Sequence, residues 1–186
     1  DELKAIVLRH YRKFDKGGEA NAIKKYRGFQ IFQFCFERRI EMSNLEVAKR
    51  FADLLESGDV MGLQTLLADD FRATGGTREL TKPQALGYLQ IFFTAFPDCR
   101  FGFSDFEENG DWVYWTGQET GTHKGVLDLN SFGMPISLPP TGKSFQLPKS
   151  VYSLRVAGDK VAHYNEEAVQ GGGLAGILEQ LGVKIP

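Results

Sequence analysis

In the first half of the chain apolar residues return every three or four positions, and further on they return every second position. Leu3, Ile6, Val7, Tyr11 and Phe14 make the first helical stripe, which Gly17-Gly18 break. A second stripe, from about residue 19 to 42, carries Ile23, Tyr26, Phe29, Phe32, Phe36 and Ile40, and Ile31, Phe34 and Cys35 widen its apolar arc. So broad an arc needs a cover, from this chain or another. Ser43-Asn44-Leu45-Glu46 reads as a capping box that opens a fresh helix with Val47, Phe51, Leu54 and Leu55 on one face. A short helix with Met61, Leu63, Leu66 and Leu67 follows, ending near Asp69-Asp70. Phe71–Thr74 predicts a brief strand, and Thr81-Lys82-Pro83 opens a third helix with Leu86, Leu89, Phe92, Phe93 and Phe96 on its apolar face.

The period of two begins near Phe101 and Phe103. Asn109-Gly110 predicts a hairpin turn into a long strand from Trp112 to His123, and a second hairpin joins 143–156 to 160–167 around Ala157-Gly158-Asp159. A loop rich in Gly and Pro, 125–142, separates the hairpins, and Leu174–Leu181 predicts a terminal helix after three glycines. Helices followed by antiparallel strands predict an α+β fold with helices packed on one face of a sheet. The domain boundary falls at Ser43, with a helical N-terminal extension over residues 1–43 and the main domain over 44–186.

Charge and composition narrow the function. The 186 residues carry a net charge of −2, which excludes a global attraction to nucleic acid. Residues 1–43 hold ten Lys and Arg against six Asp and Glu, leaving twelve against eighteen for the rest, so a basic leader precedes an acidic body. No apolar run approaches the roughly 20 residues of a membrane span, although the basic amphipathic leader admits contact with an anionic membrane surface. Cys35 and Cys99 are read as core residues. The chain has no initiator Met and no secretory segment, so it is expected to be soluble, intracellular or organellar, with any targeting peptide removed.

Candidate chemistry is sparse. The three histidines, His10, His123 and His163, show no metal-ligand spacing, and no cofactor or phosphate-binding motif is present, so neither a metal nor a cofactor is expected. Alternation places Trp115, Glu119 and His123 on one face of a strand. Glu119 and His123 then stand about 13 Å apart, too far for a direct dyad.

Ala95-Phe96-Pro97-Asp98, Gly110-Asp111, Gly121-Thr122-His123-Lys124-Gly125, Pro139-Pro140-Thr141-Gly142-Lys143, Gly158-Asp159-Lys160-Val161 and Leu178-Glu179-Gln180-Leu181-Gly182 occur in this order. Together they resemble the SnoaL-like polyketide cyclase family of the nuclear-transport-factor-2-like superfamily, over about residues 44–183. The resemblance implies a cone, a curved antiparallel sheet with three helices closing its wide side around an apolar hollow, and pairing as a homodimer through the sheet. It implies a small hydrophobic, carbonyl-bearing or polyketide-like ligand, and acid/base chemistry for cyclisation or isomerisation. The family's catalytic Asp, counted nine residues back from the final Gly of its Gln-Leu-Gly motif, lands on Gly173. Glu166 and Glu167 are the carboxylates nearby, and only one of them can face inward. Either Glu166 or Glu167, helped by His123 or Tyr152, is therefore the expected catalytic group, in a pocket lined by Trp115, Glu119, Tyr88, Phe92, Tyr152 and His163. The insertion between Gly125 and Pro139 carries Leu127, Leu129, Phe132, Met134, Ile136 and Leu138, and reads either as a lid or as a docking patch. The second option belongs to a different function: a non-catalytic subunit that docks on a larger assembly through residues 1–43 and 125–142.

Overall fold

The computed structural model describes residues 42–75 and 78–183. The two N-terminal stripes, and with them all but the last two residues of the expected extension, lie outside the described residues. Main-chain order is α1 (Asn44–Ser57), α2 (Val60–Leu66), β1 (Leu67–Gly75), β2 (Arg78–Thr81), α3 (Lys82–Ala95), β3 (Ser104–Asn109), β4 (Trp112–Gly117), β5 (Thr120–Thr122), β6 (Leu127–Asp128), β7 (Ser137–Leu138), β8 (Ser144–Gln146), β9 (Ser150–Ala157), β10 (Lys160–Glu166) and α4 (Gly173–Leu181). A single 3₁₀ turn, Asn130–Phe132, lies between β6 and β7.

α1 starts where the capping box places it. The Glu46 backbone N–H donates to Ser43 Oγ (3.2 Å) and the Ser43 N–H donates to Glu46 Oε2 (2.8 Å). Its buried face is Val47, Ala48, Phe51, Ala52 and Leu55. α3 has Pro83 in its first turn, where the missing N–H costs no hydrogen bond. α2 ends at Leu66 rather than at Asp69-Asp70, because Leu67 is already extended and pairs with Val161 of β10. Tertiary pairing overrides the helical spacing of Leu63, Leu66 and Leu67 there.

The six-stranded sheet runs β2-β1-β10-β9-β4-β3. Every neighbour pair is antiparallel except β1 with β10, so the expected antiparallel sheet is in fact mixed and curved. Period-two alternation carries no information about strand direction, and a parallel pair needs only a long crossover, which everything between β1 and β10 supplies. Four α-helices lie among the described residues, at the four places the sequence pattern predicts.

Both long strands expected from the sequence are broken. The chain leaves the main sheet at Gly117, where a Cβ would stand 2.9 Å from the Phe101 carbonyl oxygen and from the rings of Phe103 and Tyr152. It continues as β5, paired with β8 in a separate two-stranded ladder. β8 stops before Pro148, which has no N–H to donate to a ladder, and β9 then rejoins the main sheet. Helix and sheet faces meet in one core that includes Phe51, Leu63, Phe71, Phe92, Phe96, Val113, Trp115, Tyr152, Leu154 and Ile177.

Candidate functional site

Sheet register assembles the site. Trp115 of β4 stands opposite Tyr152 of β9, Tyr152 opposite Glu166 of β10, and Glu166 opposite Gly75 of β1. These residues form one row across four strands on the helix-covered face, and Tyr164, two residues from Glu166, occupies the next row with Leu154 and Ala73. The rings of Trp115, Tyr152 and Tyr164 stack in series, with centroids 6.2 and 6.1 Å apart and interplanar angles of 13° and 23°. Phe103 meets Tyr152 edge-on at 5.3 Å, while α3 contributes Tyr88, stacked on Phe92 at 6.0 Å.

Glu119 reaches this row from the bend after β4. It is only 7% exposed, and the Tyr152 hydroxyl donates to its Oε1 over 3.1 Å. Burial pushes its carboxyl up to about 8, the charge of Glu166 pushes in the same direction, and the Tyr152 hydrogen bond opposes them. Burial raises Glu166 as well. Among the described residues no ion pair joins either carboxyl to a cation. Two carboxyls that act on each other titrate as a pair, each favouring its protonated form more than a free carboxylate does. Tyr88, Tyr152 and Tyr164 are all raised, chiefly by burial, so each phenol remains a neutral hydrogen-bond donor.

Glu119, Glu166, Trp115, Tyr88, Phe92 and Tyr152 therefore meet on one side of the sheet. Glu167 is exposed, and its backbone N–H merely extends the ladder to the Val151 carbonyl (2.9 Å). His163 sits in register with Arg155 on the opposite face, edge-on to Trp112 at 5.8 Å, and burial lowers its imidazole. His123 has no exposed surface and braces a loop: its Nδ1 accepts the Thr141 N–H (3.3 Å) and its ring lies against Phe96. Burial lowers this imidazole too. Tyr164 is the member that sequence reasoning passed over, although its parity with Glu166 was visible.

Closely spaced rings fill the space where the hollow was expected, with Trp115, Tyr152 and Tyr164 in successive contact. Two cavities of about 280 and 330 Å³ lie elsewhere, the first lined by Lys49, Asp53, Glu56 and Phe106 among others, the second by Gln64, Lys82, Leu86 and Gln90 among others. Tyr88, Tyr164 and Glu166 are half-buried and keep some contact with solvent. In residues 125–142 Leu127 and Leu129 are fully buried and Met134, Ile136 and Leu138 pack against the core, while Val126 is exposed. Among the described residues no group of three metal-ligating side chains occurs, and no helix is long and apolar enough to cross a membrane.

A curved mixed sheet covered on one face by helices is the nuclear-transport-factor-2-like fold. The family model for the SnoaL-like polyketide cyclase matches residues 45–168, and the chain belongs to that family. No curated protein matches it. Among solved structures it is similar to AclR, a candidate hydroxylase from Streptomyces galilaeus, at 19% identity over 77% of this chain and 97% of that one, with a TM-score of 0.59. It is also similar to IdmH, a candidate polyketide cyclase from Streptomyces antibioticus, at 22% identity over 76% and 100% of the two chains, with a TM-score of 0.56. A candidate SnoaL-like polyketide cyclase from Jannaschia sp. CCS1 has 19% identity over 69% and 87%, with a TM-score of 0.55. At these identities the likeness is one of fold.

Proposed function

We propose that the chain binds a small hydrophobic, carbonyl-bearing ligand beside Tyr88, Tyr152 and Tyr164, and that Glu119 and Glu166 move protons on it. Family membership supports a small-molecule binding or cyclase/isomerase role. The observation that carries the finer reading is buried Glu119 bonded to the Tyr152 phenol beside the row of Glu166, with no cation paired to either carboxyl among the described residues. One proton is shared between them. The ionised carboxyl removes a proton from carbon next to a carbonyl, and the resulting enolate oxygen accepts hydrogen bonds from a phenol. For ring closure, the enolate carbon attacks a second carbonyl of the same ligand, and the protonated carboxyl supplies the proton to the new alkoxide. For isomerisation, the same proton returns to a different carbon.

Exchange of the acidic C–H of benzoylacetone in D2O, followed by NMR, tests this reading. Wild-type protein is expected to accelerate exchange over buffer, with Glu119→Gln and Glu166→Gln each losing the acceleration. An absent acceleration, together with no melting shift from benzoylacetone or 2-acetonaphthone, contradicts it. The docking alternative is weakened, because Leu127, Leu129, Met134, Ile136 and Leu138 of the 125–142 loop pack on the core. The domain start at Ser43 belongs to the same proposal, since the capping box there begins the first helix of the catalytic unit.

A further inference from the structure

Of the three phenols near the carboxyls, Tyr152 is the one whose hydroxyl is already committed. It donates to Glu119 Oε1 over 3.1 Å, whereas the hydroxyls of Tyr88 and Tyr164 make no hydrogen bond among the described residues. A phenol has a single O–H to give, so Tyr152 cannot donate to a ligand while that bond stands. Glu119 is itself held in place: the Leu147 N–H donates to its carbonyl (2.9 Å), and the N–H of its neighbour Gln118 donates to the Phe101 carbonyl (2.8 Å). Its carboxyl makes no other hydrogen bond among the described residues, which leaves Oε2 without a protein partner there.

The ring that carries this hydroxyl is enclosed. Trp115 and Tyr164 pack on it nearly parallel, at 6.2 and 6.1 Å, and Phe103 meets it edge-on at 5.3 Å. Gly117 lets it lie close to the β4 backbone, since a Cβ there would stand 2.9 Å from Tyr152 Cε2. A ring buried among such neighbours keeps one rotamer, so its hydroxyl keeps one direction.

We propose that Tyr152 is the positioning residue of Glu119: its hydroxyl occupies Oε1, proton transfer falls to Oε2, and Tyr152 itself gives no hydrogen bond to the ligand. A hydrogen bond donated to a carboxyl favours its ionised form, and here it opposes burial and the charge of Glu166. The other titratable groups that act on or feel this carboxyl are Glu56 of α1, Tyr88 of α3, Cys99 after α3 and Tyr164 of β10, and none of them is bonded to it. Tyr152 is therefore the one neighbour that ties the carboxyl's orientation to the pH at which it ionises. The inference rests on Glu119 being the proton carrier, and its test separates the two.

Tyr152→Phe keeps the ring and removes only the hydroxyl. In ¹³C-glutamate-labelled protein, without any ligand, the Glu119 midpoint is expected to rise by about one pH unit, the order of a hydrogen bond to a charged group. The pH limb of benzoylacetone exchange should move up by the same amount, so that acceleration near pH 7 falls about tenfold and recovers as pH rises. Tyr164→Phe, which removes an uncommitted hydroxyl from the same cluster, should move the Glu119 midpoint far less. An unchanged midpoint in Tyr152→Phe overturns the inference, as does a loss of exchange that no pH restores, which marks Tyr152 as a donor to the ligand. An equal rise in Tyr164→Phe also overturns it, because general disturbance of the cluster then accounts for both. A raised midpoint in Tyr152→Phe alone, with no exchange accelerated by any form, supports the link from Tyr152 to Glu119 and removes the proton-transfer reading instead.

Discussion

Two acidic side chains of this domain receive opposite treatment. Asp98, at the neck of the 125–142 loop, accepts the Thr122 N–H (2.9 Å) and the Lys124 ammonium (2.5 Å), and these partners, Lys124 foremost, hold its carboxyl down at about 2. Glu119 is buried, bonded to a neutral phenol and exposed to the charge of Glu166, and its carboxyl is pushed up to about 8. The first is a permanent anion that ties chain segments together. The second changes protonation in the range where proton transfer at neutral pH is efficient. Other shared motif residues behave like Asp98: Thr141 bonds His123, and Gln180 bonds both the N–H and the carbonyl of Gln146. The shared words of the sequence brace the fold, while Glu119 and Glu166, to which the proposal gives the proton transfer, lie outside them.

Substitution at these two positions is the strongest way to break the comparison. Glu119→Gln is expected to lower benzoylacetone C–H exchange by about 10²–10⁴-fold, the usual range for losing a general acid or base, whereas Asp98→Asn changes it only severalfold. The pH dependence of stability separates them next. Glu119 is raised in the folded state, so its folded form holds a proton that the unfolded chain releases above its ordinary value of 4.5. Stability should therefore fall as pH rises from about 5 to about 9, and Glu119→Gln should flatten that limb in melting experiments. Asp98 is lowered, so its contribution is present above its ordinary value of 3.8 and lost as pH falls through about 2; Asp98→Asn should flatten the acid limb.

Smaller effects sharpen the same contrast. Gly117→Ala forces a methyl against Phe103 and Tyr152 and should cost about 1–3 kcal/mol in denaturant unfolding, with the exchange activity disturbed as Tyr152 shifts. Glu167→Gln, at an exposed position beyond β10, should move stability by less than about 0.5 kcal/mol and leave exchange unchanged. A loss of exchange in that variant would transfer the proton role away from Glu166.

Much of the frame was legible in the sequence because local chemistry sets it. The Ser43 capping box, the Pro83 helix start and the Asn109-Gly110 hairpin all depend on neighbours within a few residues. The strand breaks at Gly117 and Pro148 depend on what lies across the sheet, so two uninterrupted strands were expected in place of four. β2 carries too short a pattern to register, and the parallel β1/β10 pairing leaves no periodic signal. At the site, the family resemblance narrowed the choice to Glu166 or Glu167 and parity allowed only one of them inward, and the register with Tyr152 and Gly75 puts Glu166 on the inner face. His123 and Glu119 share parity too. The break after β4 carries His123 to a loop neck, where its nitrogen serves Thr141.

Carbonyl-carbon NMR titration of the side-chain carboxyls in ¹³C-glutamate-labelled protein tests the central claim most directly, with Glu119 assigned by its loss in Glu119→Gln. Its midpoint should lie near 8, and should drop when Glu166→Gln removes the neighbouring charge. A Glu119 midpoint in the ordinary carboxylate range, insensitive to Glu166, would contradict the account.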